Sequence, residues 1–281
     1  MTPVRRIGFA YNPTNSAAVA LREKAAGWCS DLGVEVWSTT AADLATLQRE
    51  LPNTDVLIVL GGDGTFLLAA RGVVEVDVPI LGVNLGKVGF LSRVEAEELE
   101  AILGLLRDGA FELEDRLVLE GRILRGGQPG DERYVAVNDV VVARGALARV
   151  VRLDVDIDQT HLATFIADGL VVASPTGSTG YSFSSGGPIV DPHSRNMVVT
   201  PIAGYLSAIR SVVVAPDQVV RCRVVSALQA LVSIDGRDDV PLAVGDVVEV
   251  RAIDRPIRLV VPEGSPPFWD LVRRKVELLP S

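Results

Sequence analysis

Apolar and polar positions follow two different rhythms along this chain. Over the first third, short continuous apolar runs are separated by longer amphipathic stretches. RIGFAY (Arg6–Tyr11) reads as a short strand, and Ser16–Leu32 repeats at helical spacing, with Asn15 or Ser16 placed to cap its start and Gly33 to stop it. Val34–Trp37 reads as a strand, Ala41–Leu51 as a helix, and the aliphatic run within Asp55–Leu60 as a strand buried on both faces. A helix over FLLAARGVV, a strand over Val78–Asn84 and a helix over Glu95–Arg107 follow. Strands in alternation with helices predict right-handed βαβ units on a parallel sheet.

The rhythm changes near Phe111. From there to Val261 the chain is a succession of short β runs and turn residues, and Val151–Asp158 alternates apolar and polar positions in the manner of a half-buried antiparallel strand. The end, SPPFWDLVRRKVELL, returns to helical spacing, and Phe268, Trp269, Leu271 and Val272 need a surface to cover them. The expected fold is therefore an α/β N-terminal domain with a parallel sheet (1–110, joined by 262–281) and a β-rich, sandwich-like domain (111–261). The final helix is expected to return to the first domain.

Composition narrows the function. Hydrophobic residues make up 48% of 281, enough for real cores, yet no apolar run approaches the roughly 18–20 residues of a spanning helix. The apolar stretch within MTPVRRIGFAYNPTNS is too short for a secretory signal, so a cytoplasmic protein is expected. The net charge of −9 opposes binding along a nucleic-acid backbone. Cys29 and Cys222 are far apart and lack metal-ligand spacing, so they read as small buried apolar residues. With only His161 and His193 besides, no protein-held metal site is expected, and both histidines read as structural.

Three stretches carry candidate chemistry. GGDGT (Gly61–Thr65) lies where a buried strand ends and a helix begins, the crevice in which open α/β sheets bind ligands. Gly61, Gly62 and Gly64 let backbone N–H groups approach phosphate oxygens. Asp63, as an anion, suits a base toward an attacking hydroxyl or a contact to the phosphates' Mg²⁺. The alternative is a plain Asp-Gly turn capping the next helix. GVNLGK (Gly82–Lys87) departs from a P-loop in spacing and lacks the Ser/Thr, and no GxGxxG follows the first strand.

In VNDVVVAR, Asn138 and Asp139 interrupt a β run; an adjacent amide and carboxylate can pair with the vicinal hydroxyls of a ribose, or simply face solvent. DGLVVASPTGSTGYSFSSGGPIV is the densest polar and glycine cluster, poor material for a core and beyond ordinary loop chemistry. It predicts a short helix whose first turn offers hydroxyls and N–H groups, with Tyr181 and Ser184 on one face. A serine hydrolase is set aside because G-x-S-x-G is absent.

Together, GGDGT, LGVNLGKVGFL, the Asn-Asp pair, DGLVVASPTGSTGYSFSSGGPIV, SIDG (Ser233–Gly236) and FWDLVRRK resemble the NAD kinase family over nearly the whole chain. GGDGT alone occurs in other kinases; the DG…PTGST…GGPI stretch is specific. The resemblance implies transfer of the γ-phosphoryl group of ATP to the 2′-hydroxyl of the adenosine ribose of NAD. It also implies a divalent cation, Mg²⁺ or another, with the ATP, and a homodimer or homotetramer. Asp63 then corresponds to the base, Asn138 and Asp139 hold a ribose, and Asp168 lies near the nicotinamide end. Thr179, Gly180, Tyr181 and Ser184 line the dinucleotide pocket. NADH in place of NAD, and polyphosphate in place of ATP, stay open.

Three departures stand out. The family's usual Asn-Glu is Asn138-Asp139, its TGSTAY carries Gly180 in place of Ala, and its Pro-His within TPICPHSLSFR is Gly204-Tyr205. They motivate one alternative, a catalytically weak NAD(P)-binding sensor; a GGDGT lipid kinase is a second, opposed by the PTGSTGYS stretch.

Overall fold

The computed structural model describes residues 3–86, 89–146, 149–205 and 209–277. In chain order the elements are β1 (Arg6–Tyr11), α1 (Ser16–Asp31), β2 (Glu35–Thr40), α2 (Leu44–Glu50), β3 (Val56–Leu60), α3 (Asp63–Val73), β4 (Ile80–Asn84), β5 (Ser92–Glu95) and α4 (Leu99–Asp108). The β-rich part follows: β6 (Phe111–Arg125), β7 (Gln128–Ala136), β8 (Asp139–Arg144), β9 (Val151–Ile157), β10 (Thr160–Ala167) and β11 (Gly169–Ala173). Then come α5 (Tyr181–Ser184), β12 (Met197–Ile202), β13 (Val212–Val214), β14 (Val219–Ser226), β15 (Ala230–Ile234), β16 (Arg237–Leu242), β17 (Val247–Pro262) and α6 (Phe268–Glu277). Two compact units result, Met1–Asp115 with Pro256–Ser281, and Arg116–Arg255.

In the first unit the strands run parallel in the order β2-β1-β3-β4, with β5 beside β4 and Leu259 of β17 opposite Ile80. All five residues of β3 and all five of β4 are buried, as strands covered on both faces must be. The Asn15 side chain accepts the N–H groups of Ala17 and Ala18 and so starts α1, a cap worth about 1 kcal/mol. Gly33, at φ 71°, follows the end of that helix in the left-handed region. α2 begins later than periodicity predicts, because Asp43 accepts the N–H of Thr46 and caps it there. Glu95 likewise ends β5 and, with Glu98, forms a reciprocal capping box before α4. α6 belongs to this unit: Phe268 packs its ring 6.1 Å from that of Phe90.

The second unit is built from two antiparallel layers. β10-β9-β14 and the first half of β17 form one, and β13-β12-β11-β8-β15-β16 the other. Alternate side chains, such as Leu153, Val155, Cys222 and Val248 from the first layer and Val140, Val142, Val172 and Val232 from the second, share one core. β8 and β11 are the central strands of the second layer. Their other faces also close over apolar contacts, with Val141, Val171 and Ala173 clustered there. Cys29 and Cys222 are both unpaired thiols within cores.

Candidate active site

The strand order 2-1-3-4 reverses direction between β1 and β3, and the crevice at the carboxyl ends of such neighbours is where open α/β sheets take ligands. GGDGT stands at the carboxyl end of β3. The N–H of Gly61 still belongs to the sheet, donating to Val83 O at 2.9 Å. A Cβ on Gly61 would lie 2.7 Å from Thr65 Oγ1, so Gly61 admits the fold-back of Thr65. Gly62 is the exposed N-cap of α3, without a side-chain cap, and Asp63 begins the helix. The N–H groups of Gly62 and Asp63 have no partner among the described residues, which leaves an open, positively poised helix end.

Asp63 does not dangle into that opening. Its Oδ2 accepts the N–H of Phe90 at 2.9 Å, and its Oδ1 accepts those of Leu91 and Ser92 at 3.1 and 3.2 Å. Gly89 lies so close that a Cβ there would fall 2.1 Å from Oδ1. Each carboxylate oxygen has two lone pairs, so Oδ1 is saturated and Oδ2 keeps room for one further donor. The loop that supplies these donors is tied at its ends by Asn84, whose amide donates to Gly86 O and to Glu95. Lys87, in the GVNLGK stretch, lies outside the described residues.

The second unit gathers the other polar residues around the start of β8. Asp235 accepts three consecutive N–H groups, from Val137 at 2.9 Å and from Asn138 and Asp139 at 2.8 and 3.0 Å. It does so from φ 51°, next to Gly236 at φ 70°, in the tight turn joining β15 to β16. The Asn138 carbonyl accepts the N–H of Ser174, and Gly177 packs so tightly on it that a Cβ would lie 2.0 Å from that oxygen. Gly180 is close too: a Cβ there would be 3.8 Å from Asn138 Nδ2. Asn138 Oδ1 is buried without a hydrogen-bond partner among the described residues, a cost that a ligand hydroxyl would relieve. Asp139 is 5% exposed, and burial first, then the charge of Asp235, push its carboxyl up to about 7.

The PTGSTGY stretch forms a 3-10 turn (Gly177–Thr179) and one helical turn, α5, broken at Gly180. Several serine and threonine hydroxyls of and beside this stretch donate inward and keep their acceptor lone pairs. Ser174 Oγ donates to Val137 O, Ser178 Oγ to Pro175 O and Thr179 Oγ1 to Thr176 O, while Ser182 and Thr200 share a hydrogen bond. The buried guanidinium of Arg116 donates to Thr176. Tyr181 and Ser184 remain exposed on the surface of this loop.

Asp168 is not gathered with them. It precedes β11 at the end opposite Ala173, the residue paired with Asp139, which places it about 16 Å along the strand. There it forms an ion pair with Arg144 at 2.8 Å. Tyr205 is 66% exposed. His161 and His193 each bond a neighbouring aspartate, Asp156 and Asp191, on the surface. Sequence reasoning passed over Asp235, Gly89 and Asn84 as working residues; an Asp-Gly pair between β runs was the available signal for the first.

Residues 8–111 match the model of the ATP-NAD kinase N-terminal domain, and residues 137–261 that of the C-terminal domain. The chain is 38% identical to the NAD kinase of Syntrophotalea carbinolica, over 97% of this chain and 98% of that one. It is 37% identical to the NAD kinase of Heliobacterium modesticaldum, over 96% and 98%. Among solved structures, a yeast NADH kinase complexed with NADH superposes with a TM-score of 0.85 at 25% identity, covering 99% of this chain and 88% of that one. An NAD kinase from Archaeoglobus fulgidus in complex with ATP gives 0.78 at 25% identity, covering 97% and 98%.

Proposed function

We infer the function from one premise: this chain belongs to the ATP-NAD kinase family. It is an enzyme that transfers the γ-phosphoryl group of ATP to the 2′-hydroxyl of the adenosine ribose of NAD, giving NADP and ADP. The observation that carries the reading is Asp63. A single carboxylate, fixed by three backbone donors and keeping one lone pair on Oδ2, stands at an open helix N-terminus beside a sheet's switch point.

The chemistry follows from that placement. The ribose 2′-oxygen attacks the γ-phosphorus while the bond to the bridging oxygen breaks, and ADP leaves with the bonding pair. The hydroxyl proton passes to Oδ2 of Asp63. The N–H groups of Gly62 and Asp63, in the turn that Gly64 and Thr65 complete, offset phosphate charge. Among the described residues no group of three metal-ligating side chains is gathered. In this reading the divalent cation, Mg²⁺ in the ordinary case, comes with ATP as part of the substrate.

The dinucleotide belongs to the second unit. Asn138 Oδ1, buried and unpartnered, accepts a ribose hydroxyl, and Asp139 takes its neighbour. Thr179, Gly180, Tyr181 and Ser184 border the ring system. Asp168, at the far end of β11, serves the nicotinamide end of an extended molecule. The solved relatives bound to NADH and to ATP support these two substrates. A cytoplasmic homodimer or homotetramer, and polyphosphate as a second donor, go with this reading. The sensor and lipid-kinase alternatives are not favoured, because relatives match across both domains.

The test is Asp63→Asn. The variant should bind NAD within about threefold of wild type and lose about 10²-fold or more in kcat. Near-normal turnover would remove Asp63 from the chemistry.

A further inference from the structure

We propose that the returning C-terminal helix is a working part of the catalytic site, because through Phe90 it holds the backbone that grips Asp63. This rests on the reading that Asp63 is the catalytic carboxylate. Phe90 faces two ways. Its N–H donates to Asp63 Oδ2 at 2.9 Å, and its ring lies under α6. Phe268, near the start of that helix, places its ring centroid 6.1 Å from that of Phe90. Lys275, seven residues on and therefore on the same helix face, sets Nζ 4.2 Å from the centre of the Phe90 ring.

All these residues belong to one compact unit. The Asn84–Glu95 contact ties the loop at its ends, while Phe90 lies inside it. Among the described residues of its own loop it has the long contact from Arg93 Nε to its carbonyl, at 3.5 Å. Leu91 is held by its own burial and Ser92, in β5, by pairing with Gly82, so the ring is the hold on the donor that remains, Phe90. A carboxylate that accepts three N–H groups takes its orientation from where those groups are. Moving Phe90 moves the donor on Oδ2, the oxygen with the open lone pair. Gly89 leaves no slack, since it already abuts Oδ1. Phe268 and Lys275 are therefore positioning residues, acting through Phe90 on Asp63.

The test uses the full-length protein and two readouts, steady-state kinetics and amide hydrogen exchange of a peptide covering residues 89–93. Phe268→Ala should lower kcat about 10- to 100-fold with KM for NAD and ATP within about threefold. It should raise exchange at Phe90–Ser92 about 10-fold or more, with β1 and β3 unchanged. Phe268→Tyr, which keeps the ring, should restore both. Lys275→Met removes only the cation and should lower kcat about two- to fivefold.

Should Phe268→Ala loosen the whole unit, raising exchange in β1 and β3, Lys275→Met decides: wild-type kcat and exchange there would overturn the proposal. Wild-type exchange at Phe90–Ser92 in a folded Phe268→Ala would overturn it as well. Asp63→Asn separates the two readings. If that variant turns over normally, Asp63 is not the base, and the hold of α6 on the loop is judged by exchange alone. If it is dead while Phe268→Ala keeps wild-type kcat, the base stands and the proposal falls.

Discussion

Asp63 and Asp139 are both acids, and their surroundings differ. Asp63 receives three N–H donors, while Asp139 is buried beside the charge of Asp235 and is pushed up to about 7 from an ordinary 3.8. A carboxyl raised on folding favours the folded state at low pH, where it is protonated in both states without penalty. That advantage is lost as pH rises from about 4 through 7. Asp139→Asn carries no such charge. Its melting temperature should be flatter than wild type between pH 5 and 8, with the variant more stable at pH 8 by on the order of a few kcal/mol. Parallel melting curves across that range would contradict the burial argument. Asp63 was legible in the sequence because strand, GGDGT and helix follow one another. Its three partners were not: they are backbone N–H groups 27 to 29 residues away, and backbone groups leave no mark in residue identity. The three groups that Asp235 collects, 96 to 98 residues away, were hidden for the same reason.

At the scale of elements, the job of the PTGSTGY stretch divides in two. Buried carbonyls at Val137 and Pro175 need donors, and Ser174 and Ser178 supply them from within the same loop. With those protons spent inside, the loop offers a ligand acceptor lone pairs and a shape, held against Asn138 by Gly177. Gly177→Ala should therefore raise KM for NAD about 10-fold or more while leaving KM for ATP near wild type. An unchanged KM for NAD would show that the contact at Asn138 O relaxes without consequence. The predicted helix became a 3-10 turn and a single α turn because Gly180 breaks it at φ −99°, ψ −125°. β5 escaped periodicity altogether, since four residues, SRVE, hold too little pattern to stand out.

At the scale of the molecule, the two rhythms of the chain translate directly into a parallel α/β unit and an antiparallel two-layer unit. The aliphatic runs at β3 and β4 announced buried parallel strands, and the alternation in Val151–Ile157 announced a strand with one face in a core. The order of strands could not be read this way, because periodicity says which face is buried and not which neighbour is chosen. That order is what puts GGDGT at a switch point, and with it the case for a phosphoryl-transfer site. The central claim is tested most directly by incubating the purified protein with NAD, ATP and Mg²⁺ and reading NADP with an NADP-specific dehydrogenase. NADP should accumulate in step with ADP, and neither should form when NAD or ATP is omitted. A protein that binds NAD by calorimetry yet makes no NADP under these conditions would contradict the account.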